Sequence, residues 1–513
     1  MDVELPKARS VVENPSPDLM RGWTLEQLRP RAQVTEFGNI NYTSEVTARL
    51  KRSTFFVSDE EIHQQRMPRE EADEWARKQD EYIAERDMLL IEGYIGPDPG
   101  FRTGTRLYIE RSQPNIPAMQ QQLYFDRDDD WEPEFTVIYT PGCTAPGKPD
   151  DRLIMVDLDT YVTRVFGSDY FGESKMGALR MWNKLVYDRG GLAMHAGCKV
   201  FPAEHNPDRR EKAMLIIGLS GTGKTTTTFR EQLGSLPVQD DFVALMPGGT
   251  IHATEDGCFA KTYGLDPDDE PTIYSGTTDP LAWLENVAVR PDGTVDFFDT
   301  SYTANGRSTF PMQIIRHRDP RGLPKADYLL VLNRNENIIP AVAKLAREQA
   351  AAFFMLGESK GTSAGGAAEA GKNLRVPGTN PFFFTNDALQ ANRLMELLET
   401  LPDLEVFVLN TGRVGGSADD GRSKKVRIPH SSAIVQGIVD GSISWEQDPD
   451  FGYAVASSVA GIDDVELLQP RRLYERQGRA DEYRQRVELL KQERVEYLAQ
   501  YDALDERVLS AVT

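Results

Sequence analysis

The chain has too little cysteine and too little positive charge for several classes of protein. Its three cysteines, Cys143, Cys198 and Cys258, are far apart in a chain of 513 residues. This excludes a disulfide framework and a CxxC metal site, and it favours a reducing, cytoplasmic location. Lys and Arg number 58 against 80 Asp and Glu, so the formal net charge is -22. Because an acidic surface repels phosphate backbones and anionic lipids, we expect neither nucleic acid nor membrane as a partner.

Long apolar runs are also missing. No stretch approaches the ~18 consecutive apolar residues of a membrane span, and the mixed acidic and basic start MDVELPKARS does not resemble a secretory signal. A hydrophobic content of 40% and a charged content of 27% are typical of globular proteins. The sequence therefore predicts a soluble protein of several domains, and it leaves open whether the protein is a monomer or a small homo-oligomer.

The pattern of short apolar runs indicates a mixed α/β fold. The predicted strands are Arg106–Ile109, Phe135–Tyr139, Leu153–Val156, Ala213–Ile217, Val238–Met246, Tyr328–Leu332 and Val406–Leu409. Apolar residues at helical spacing predict a surface helix over 62–89 and an amphipathic C-terminal helix over 471–506 with a solvated charged face. The small, Gly-rich segment 361–371 predicts a mobile loop.

The strongest motif is the octapeptide GLSGTGKT, which fits the P-loop pattern of glycine, four residues and then Gly-Lys-Thr. The backbone N–H groups of such a loop converge on phosphate oxygens, its lysine reaches the β- and γ-phosphates, and its threonine ligates Mg²⁺. An apolar run precedes the motif and a helix-forming stretch follows it, so we predict strand, loop and helix here. The predicted nucleotide-binding residues are Gly218, Leu219, Ser220, Gly221, Thr222, Gly223, Lys224, Thr225 and Thr226.

Two acidic residues and one histidine are candidate metal ligands. Asp240 and Asp241 follow the P-loop motif within the predicted strand Val238–Met246. Since neighbouring side chains on a strand point to opposite faces, we expect only one of the two to serve a given metal fully. His195 follows an apolar run, where a histidine by itself is more often a core residue than a ligand.

From about Phe135 to about Val435, the order of motifs resembles that of ATP-dependent phosphoenolpyruvate carboxykinases. The resemblance is carried by EPEFTVI, GSDYFGESKMG, LAMHAGC, GLSGTGKTTT, QDDF, EDGCFAKTYGLDPDDEPTIY, LENVAVRPDGTVDF, NGRSTFP and VLNTGRVGG. It implies an N-terminal α/β domain over 1–210 and a P-loop mononucleotide-binding domain over 211–470, with the active site in the cleft between them. A charged helix over 471–513 would follow.

The reaction that this resemblance implies converts oxaloacetate and ATP to phosphoenolpyruvate, CO₂ and ADP, as in gluconeogenesis, with Mg²⁺ and Mn²⁺ as cofactors. The residues implied at the substrate and the transferring phosphoryl group are Arg49, Tyr170, Lys175, Lys224 and Arg307. His195 and Asp241 would ligate the catalytic metal, and Thr225 and Asp240 would serve the magnesium of the nucleotide. The remaining implied nucleotide contacts are Lys261, Glu285, Lys425 and Ser431.

Three departures from the family pattern leave the function open. Met176 stands where the family has a second lysine that ligates the metal, and a thioether suits Mn²⁺ poorly, although Met176 can equally be a packing residue. The family's Arg-Ser-Pro-Lys-Asp segment is RLKRS here, and Lys425 and Ser431 replace an arginine and a threonine. The chain could be a divergent carboxykinase, a P-loop kinase that phosphorylates another small anionic acceptor without decarboxylation, or a nucleotide-binding sensor without turnover.

Overall fold

The chain folds into two compact units in a computed structural model that describes residues 3–219, 221–360 and 372–512. The first unit consists of Met1–Arg189, Ala253–Arg316 and Phe382–Thr385, and the second of Gly190–His252, His317–Pro381 and Asn386–Thr513. These units divide the chain differently from the sequence-based boundaries at 210 and 470. The loop predicted over 361–371 lies outside the described residues.

Helices and strands are interspersed along the chain, which confirms the mixed α/β class. The helices are α1 Pro17–Gln27, α2 Arg69–Ile83, α3 Asn115–Gln121, α4 Phe171–Asp188, α5 Lys224–Phe229, α6 Pro271–Thr277, α7 Arg347–Leu356, α8 Ala388–Thr400, α9 Ile428–Asp440, α10 Val465–Leu468, α11 Pro470–Arg476, α12 Ala480–Leu498 and α13 Glu506–Ser510. The strands are β1 Ser10–Glu13, β2 Ala32–Val34, β3 Ile40–Tyr42, β4 Thr54–Val57, β5 Arg66–Met67, β6 Asp87–Ile95, β7 Thr103–Glu110, β8 Phe135–Thr140, β9 Leu153–Asp157, β10 Val162–Phe166, β11 Leu192–Met194, β12 Ala196–Phe201, β13 Lys212–Ile217, β14 Leu236–Gln239, β15 Val243–Leu245, β16 Ile251–Ala253, β17 Gly257–Lys261, β18 Trp283–Glu285, β19 Ala288–Val289, β20 Val295–Asp296, β21 Arg307–Pro311, β22 Ala326–Asn333, β23 Val342–Leu345, β24 Glu358–Lys360, β25 Asn373–Arg375, β26 Glu405–Asn410, β27 Arg413–Val414, β28 Lys424–Lys425, β29 Ser444–Gln447 and β30 Ala454–Ser458.

The first unit is built on an eight-stranded sheet of order β1-β6-β7-β8-β10-β9-β4-β5. Its strands β7, β8 and β9 include all three strands predicted in this part of the chain, and every residue of them is buried. Helix α4 packs on this sheet and has 15 of its 18 residues buried, so it is a core helix. A second sheet, β17-β21-β18-β3-β2, carries several of the candidate site residues.

The surface helix predicted over 62–89 is shorter than expected. Helix α2 begins at Arg69, directly after Pro68, and ends at Ile83. Strand β6 begins at Asp87, because Met88 and Leu90 are buried in the core of the sheet rather than on a helix face. The alternation of charged and apolar residues therefore continues from helix α2 into strand β6, and the pattern alone does not show where the helix ends.

The second unit is built on an eight-stranded sheet of order β14-β12-β13-β22-β26-β23-β30-β29. Its central strands β13, β22 and β26 run parallel and coincide with the predicted strands at 213–217, 328–332 and 406–409. The predicted strand Val238–Met246 is wrong as a single element, because the chain bends at Asp240–Phe242 between β14 and β15. That bend decides where the two acidic side chains lie.

The charged C-terminal region forms three helices, α11, α12 and α13, rather than one. Arg494 on α12 is 1% exposed, and both it and Arg375 form ion pairs with Glu358. One charged residue of the predicted solvated face is therefore buried, and an acidic partner makes this possible. In the part of the chain that the structure describes, no helix combines the length and the apolar character that crossing a membrane requires.

Candidate active site

The P-loop motif lies between β13 and α5, in the predicted order of strand, loop and helix. Gly221 and Gly223 have φ angles of +83° and +92°, which are left-handed values that glycine adopts readily. Gly218 allows a close approach, because a Cβ atom there would lie 2.4 Å from the Thr222 hydroxyl oxygen. Ser220 lies outside the described residues. The glycines of the motif thus permit a tight turn at the N-terminus of α5.

Both acidic candidates face the start of α5. The Thr225 hydroxyl donates to Asp240 Oδ2 at 2.8 Å. Asp241 Oδ1 lies 3.3 Å from Lys224 Nζ and 2.9 Å from His195 Nε2. The expectation that the two carboxylates point to opposite faces of a strand is wrong, since both lie in the bend after β14. The structure therefore brings together all five of these predicted residues within the second unit.

Both ring nitrogens of His195 face oxygen atoms, and Nε2 is directed at Asp241. Its Nδ1 lies 2.9 Å from the Thr379 carbonyl oxygen, an acceptor that selects the tautomer with hydrogen on Nδ1. Burial, together with the nearby Lys224 ammonium, lowers the pKa of His195. In the neutral form, Nε2 has a lone pair beside the Asp241 carboxylate, and these two groups together suit a divalent cation. Among the described residues, no group of three or more His, Cys, Asp or Glu side chains could hold a metal.

In the first unit, Asn305 connects three of the segments that carry predicted residues. Its side-chain oxygen accepts from Arg307 at 2.9 Å. Its amide group donates to the Thr47 carbonyl at 2.7 Å and lies 3.5 Å from the Tyr170 hydroxyl. Burial raises the pKa of Tyr170, so this phenol stays protonated. A single amide thus fixes Arg307, Tyr170 and the segment that leads to Arg49.

Lys175 and Arg307 lie against the same aromatic ring. Each cationic group is 5.1 Å from the centroid of Phe259, a distance at which a cation is attracted to the ring face. Lys175 Nζ is also 2.9 Å from Glu255 Oε1, and both side chains are buried. The residue expected to face the substrate is therefore held in an ion pair that sequence reasoning did not predict.

Arg49 is half-buried and its guanidinium lies 5.6 Å from the centroid of Phe382. The segment before it is anchored by Asp169, whose carboxylate accepts from Tyr42 Oη at 3.0 Å and from the backbone N–H groups of residues 45 and 46. The N–H of Leu50 donates to Glu173 at 2.7 Å. Two carboxylates from the GSDYFGESKMG motif therefore hold the chain on either side of Arg49.

Glu285 and Lys261 flank Arg307 across the second sheet of this unit, where both are register partners of Arg307. Glu285 is fully buried, and its carboxyl group accepts from the Phe171 N–H at 2.8 Å, at the first residue of α4. Burial raises the pKa of Glu285 to about 8. Burial, with the Arg307 charge nearby, lowers the pKa of Lys261 to about 8. Glu285 thus anchors α4, and its contact with the nucleotide stays a prediction.

The positions that depart from the family pattern have different surroundings. Met176 is buried in α4, as the packing interpretation requires. Lys425 is exposed on β28, and Ser431 is half-buried in the first turns of α9. Among the described residues, the side chains of Lys425 and Ser431 form no hydrogen bond or ion pair with the predicted site residues of the second unit around the P-loop motif.

Sequence reasoning missed the residues that hold the predicted ones in place. Asn305, Asp169 and Glu255 each stand inside a quoted motif, NGRSTFP, GSDYFGESKMG or EDGCFAK, within six residues of a predicted site residue. Their position in these motifs was the one sequence feature that could have identified them as site residues. Their partners are distant in sequence, so only the fold identifies what they do.

Comparison with known proteins gives one consistent result. A profile of the phosphoenolpyruvate carboxykinase family matches residues 9–465. A phosphoenolpyruvate carboxykinase (ATP) of Aeropyrum pernix is 31% identical over 432 residues, which cover 82% of each chain. A protein of the same name from Caldanaerobacter subterraneus is 26% identical over 496 residues, covering 92% of this chain and 91% of its own. The chain therefore belongs to the ATP-dependent phosphoenolpyruvate carboxykinase family.

Proposed function

We propose that this protein converts oxaloacetate and ATP to phosphoenolpyruvate, CO₂ and ADP. The observation that carries the proposal is the cluster of Lys224, Thr225, Asp240, Asp241 and His195 around the P-loop motif in a member of this family. In this proposal the second unit is the nucleotide-binding domain. Its Lys224 and loop amides bind the phosphates of ATP, and Thr225 and Asp240 serve the nucleotide's Mg²⁺.

The catalytic metal belongs at His195 and Asp241. A neutral imidazole and a carboxylate 2.9 Å apart fit Mn²⁺ or Mg²⁺, with water or phosphate oxygens completing the ligand set. When bound, such an ion supplies positive charge at the enolate oxygen that develops during decarboxylation. The buried Met176 contributes no ligand in this proposal, so the protein provides fewer ligands than the family pattern implies.

The predicted cationic residues Arg49, Lys175 and Arg307 act on the anionic substrate and the transferring phosphoryl group. Phosphoryl transfer depends mainly on positioning and on charge stabilisation, so it requires cations in fixed places. Arg307 is fixed by Asn305 and Phe259, and it neutralises the phosphoryl group. Arg49 and Tyr170 bind the carboxylates of oxaloacetate. Lys175 exchanges its Glu255 partner for the substrate when the substrate binds.

The test compares Lys224→Ala with Lys344→Ala, a lysine on β23 that pairs with Glu405. Oxaloacetate-dependent release of ADP and phosphoenolpyruvate is measured with Mg²⁺ and Mn²⁺ present, and ATP binding is measured by calorimetry. We expect Lys224→Ala to abolish turnover and ATP binding while Lys344→Ala retains both. ATP binding that persists in Lys224→Ala would contradict the P-loop assignment. ATP consumption by the unchanged protein only with other acceptors would indicate the kinase alternative.

A further inference from the structure

Lys199 is a fully buried lysine that the proposed reaction does not use. It lies on β12, and its ammonium donates to the carbonyl oxygens of Thr227 at 3.1 Å and Arg230 at 2.6 Å. A third hydrogen bond goes to the side-chain oxygen of Gln232. Three acceptors thus match the three N–H donors of the ammonium group.

All three acceptors lie at or just after the C-terminal end of α5, the helix that begins with Lys224. The last carbonyl groups of a helix lack partners within it and carry partial negative charge, so a cation there is stabilising. Helix α5 has only six residues, and a helix this short depends on contacts with its surroundings for its stability. Lys199 supplies such a contact at the end opposite to the phosphate-binding residues.

Strand β12 also fixes how closely α5 can approach. Gly197 stands two residues before Lys199 and so faces the same side of the strand. A Cβ atom at Gly197 would lie 2.0 Å from the hydroxyl oxygen of Thr228, which itself donates to the Lys224 carbonyl. The glycine lets the helix lie on the strand, and the lysine two residues later holds its end.

We propose that Lys199 is a positioning residue for nucleotide binding: by holding the C-terminal end of α5, it sets where this helix presents Lys224 and Thr225 to the phosphates. A buried ammonium group loses its hydration, which costs free energy. An apolar side chain at the same place would not pay this cost. The three hydrogen bonds offset that loss only while α5 keeps its position. The inference rests on the proposed binding of ATP at the P-loop motif.

The test compares Lys199→Met with Lys212→Met in the full-length protein. Lys212, on the adjacent strand β13, bonds to Tyr328 and makes none of the three contacts with the end of α5, so it is a matched control. The affinity for MgADP and for adenosine is measured by calorimetry, and folding by circular dichroism. We expect Lys199→Met to weaken MgADP binding about tenfold or more and to leave adenosine binding unchanged. The control should bind MgADP normally.

Equal MgADP affinity in folded Lys199→Met and the unchanged protein would overturn the inference, as would an equal loss in the control. If Lys199→Met does not fold, Gln232→Leu removes one acceptor and keeps the lysine. We expect it to weaken MgADP binding a few-fold and to speed amide hydrogen exchange in α5; no change in either would overturn the inference. Failure of the unchanged protein to bind MgADP would instead refute the proposed function.

Discussion

The fully buried carboxyl group of Glu285 makes the stability of the first unit depend on pH. Burial raises its pKa from 4.5 to about 8. Below about pH 4.5 the group is neutral in both the folded and the unfolded state, so its ionisation costs nothing. Between these values the unfolded state releases the proton and the folded state retains it, so the free energy of unfolding falls as the pH rises. At 1.36 kcal/mol for each pKa unit, the loss is about 5 kcal/mol by pH 8.

Glu285→Gln removes this dependence because the amide does not ionise. The side-chain oxygen can still accept from the Phe171 N–H, so the contact with the start of α4 is kept. We expect the variant to gain stability relative to the unchanged protein as the pH rises from 5 to 9. The predicted gain is on the order of 4 to 5 kcal/mol.

The assay is unfolding by urea at pH 5, 6, 7, 8 and 9, followed by circular dichroism and tryptophan fluorescence. Glu132→Gln serves as the control because Glu132 is exposed in the same unit. The control should differ from the unchanged protein by the same small amount at every pH. A difference in unfolding free energy between Glu285→Gln and the unchanged protein that stays constant from pH 5 to 9 would contradict the raised pKa of Glu285.

Three further predictions concern the candidate site. Asp169→Asn should loosen the segment that leads to Arg49 and raise the KM for oxaloacetate several-fold, with a modest loss in Tm; a KM equal to that of the unchanged protein would contradict this role. Because burial lowers the pKa of Lys261 to about 8, the KM for ATP should rise as the pH increases through 8. Lys261→Arg should remove this rise. Identical pH profiles of KM in the variant and the unchanged protein would exclude this role of Lys261. Met176→Lys should raise Mn²⁺-dependent turnover or leave it unchanged, and a fall of about tenfold or more would argue against the carboxykinase.

The sequence predicted features of the candidate site that depend on local order. The turn between β13 and α5 follows from the glycines of one octapeptide, and the central strands follow from short apolar runs. The placement of Asp240 and Asp241 did not follow, because a bend replaced the expected strand and turned both carboxylates toward α5. Bends of this kind depend on contacts with distant segments.

Contacts between distant segments also could not be predicted from the sequence. Lys175 was predicted at the substrate, but its pairing with Glu255 depends on how α4 lies beside the segment that leads into β17. The burial of Arg494 depends on Glu358, which is more than a hundred residues away. Charge runs are normally solvated, and only the fold shows which member of a run has a buried partner.

The most direct test of the proposed function is the stoichiometry of the complete reaction. The purified protein is incubated with ¹³C-labelled oxaloacetate, ATP, Mg²⁺ and Mn²⁺, and the products are followed together by ¹³C and ³¹P NMR. We expect phosphoenolpyruvate, CO₂ and ADP to appear in equal amounts, at turnovers on the order of 1 s⁻¹ or more. ATP binding without formation of phosphoenolpyruvate, or ADP formation without CO₂, would contradict it.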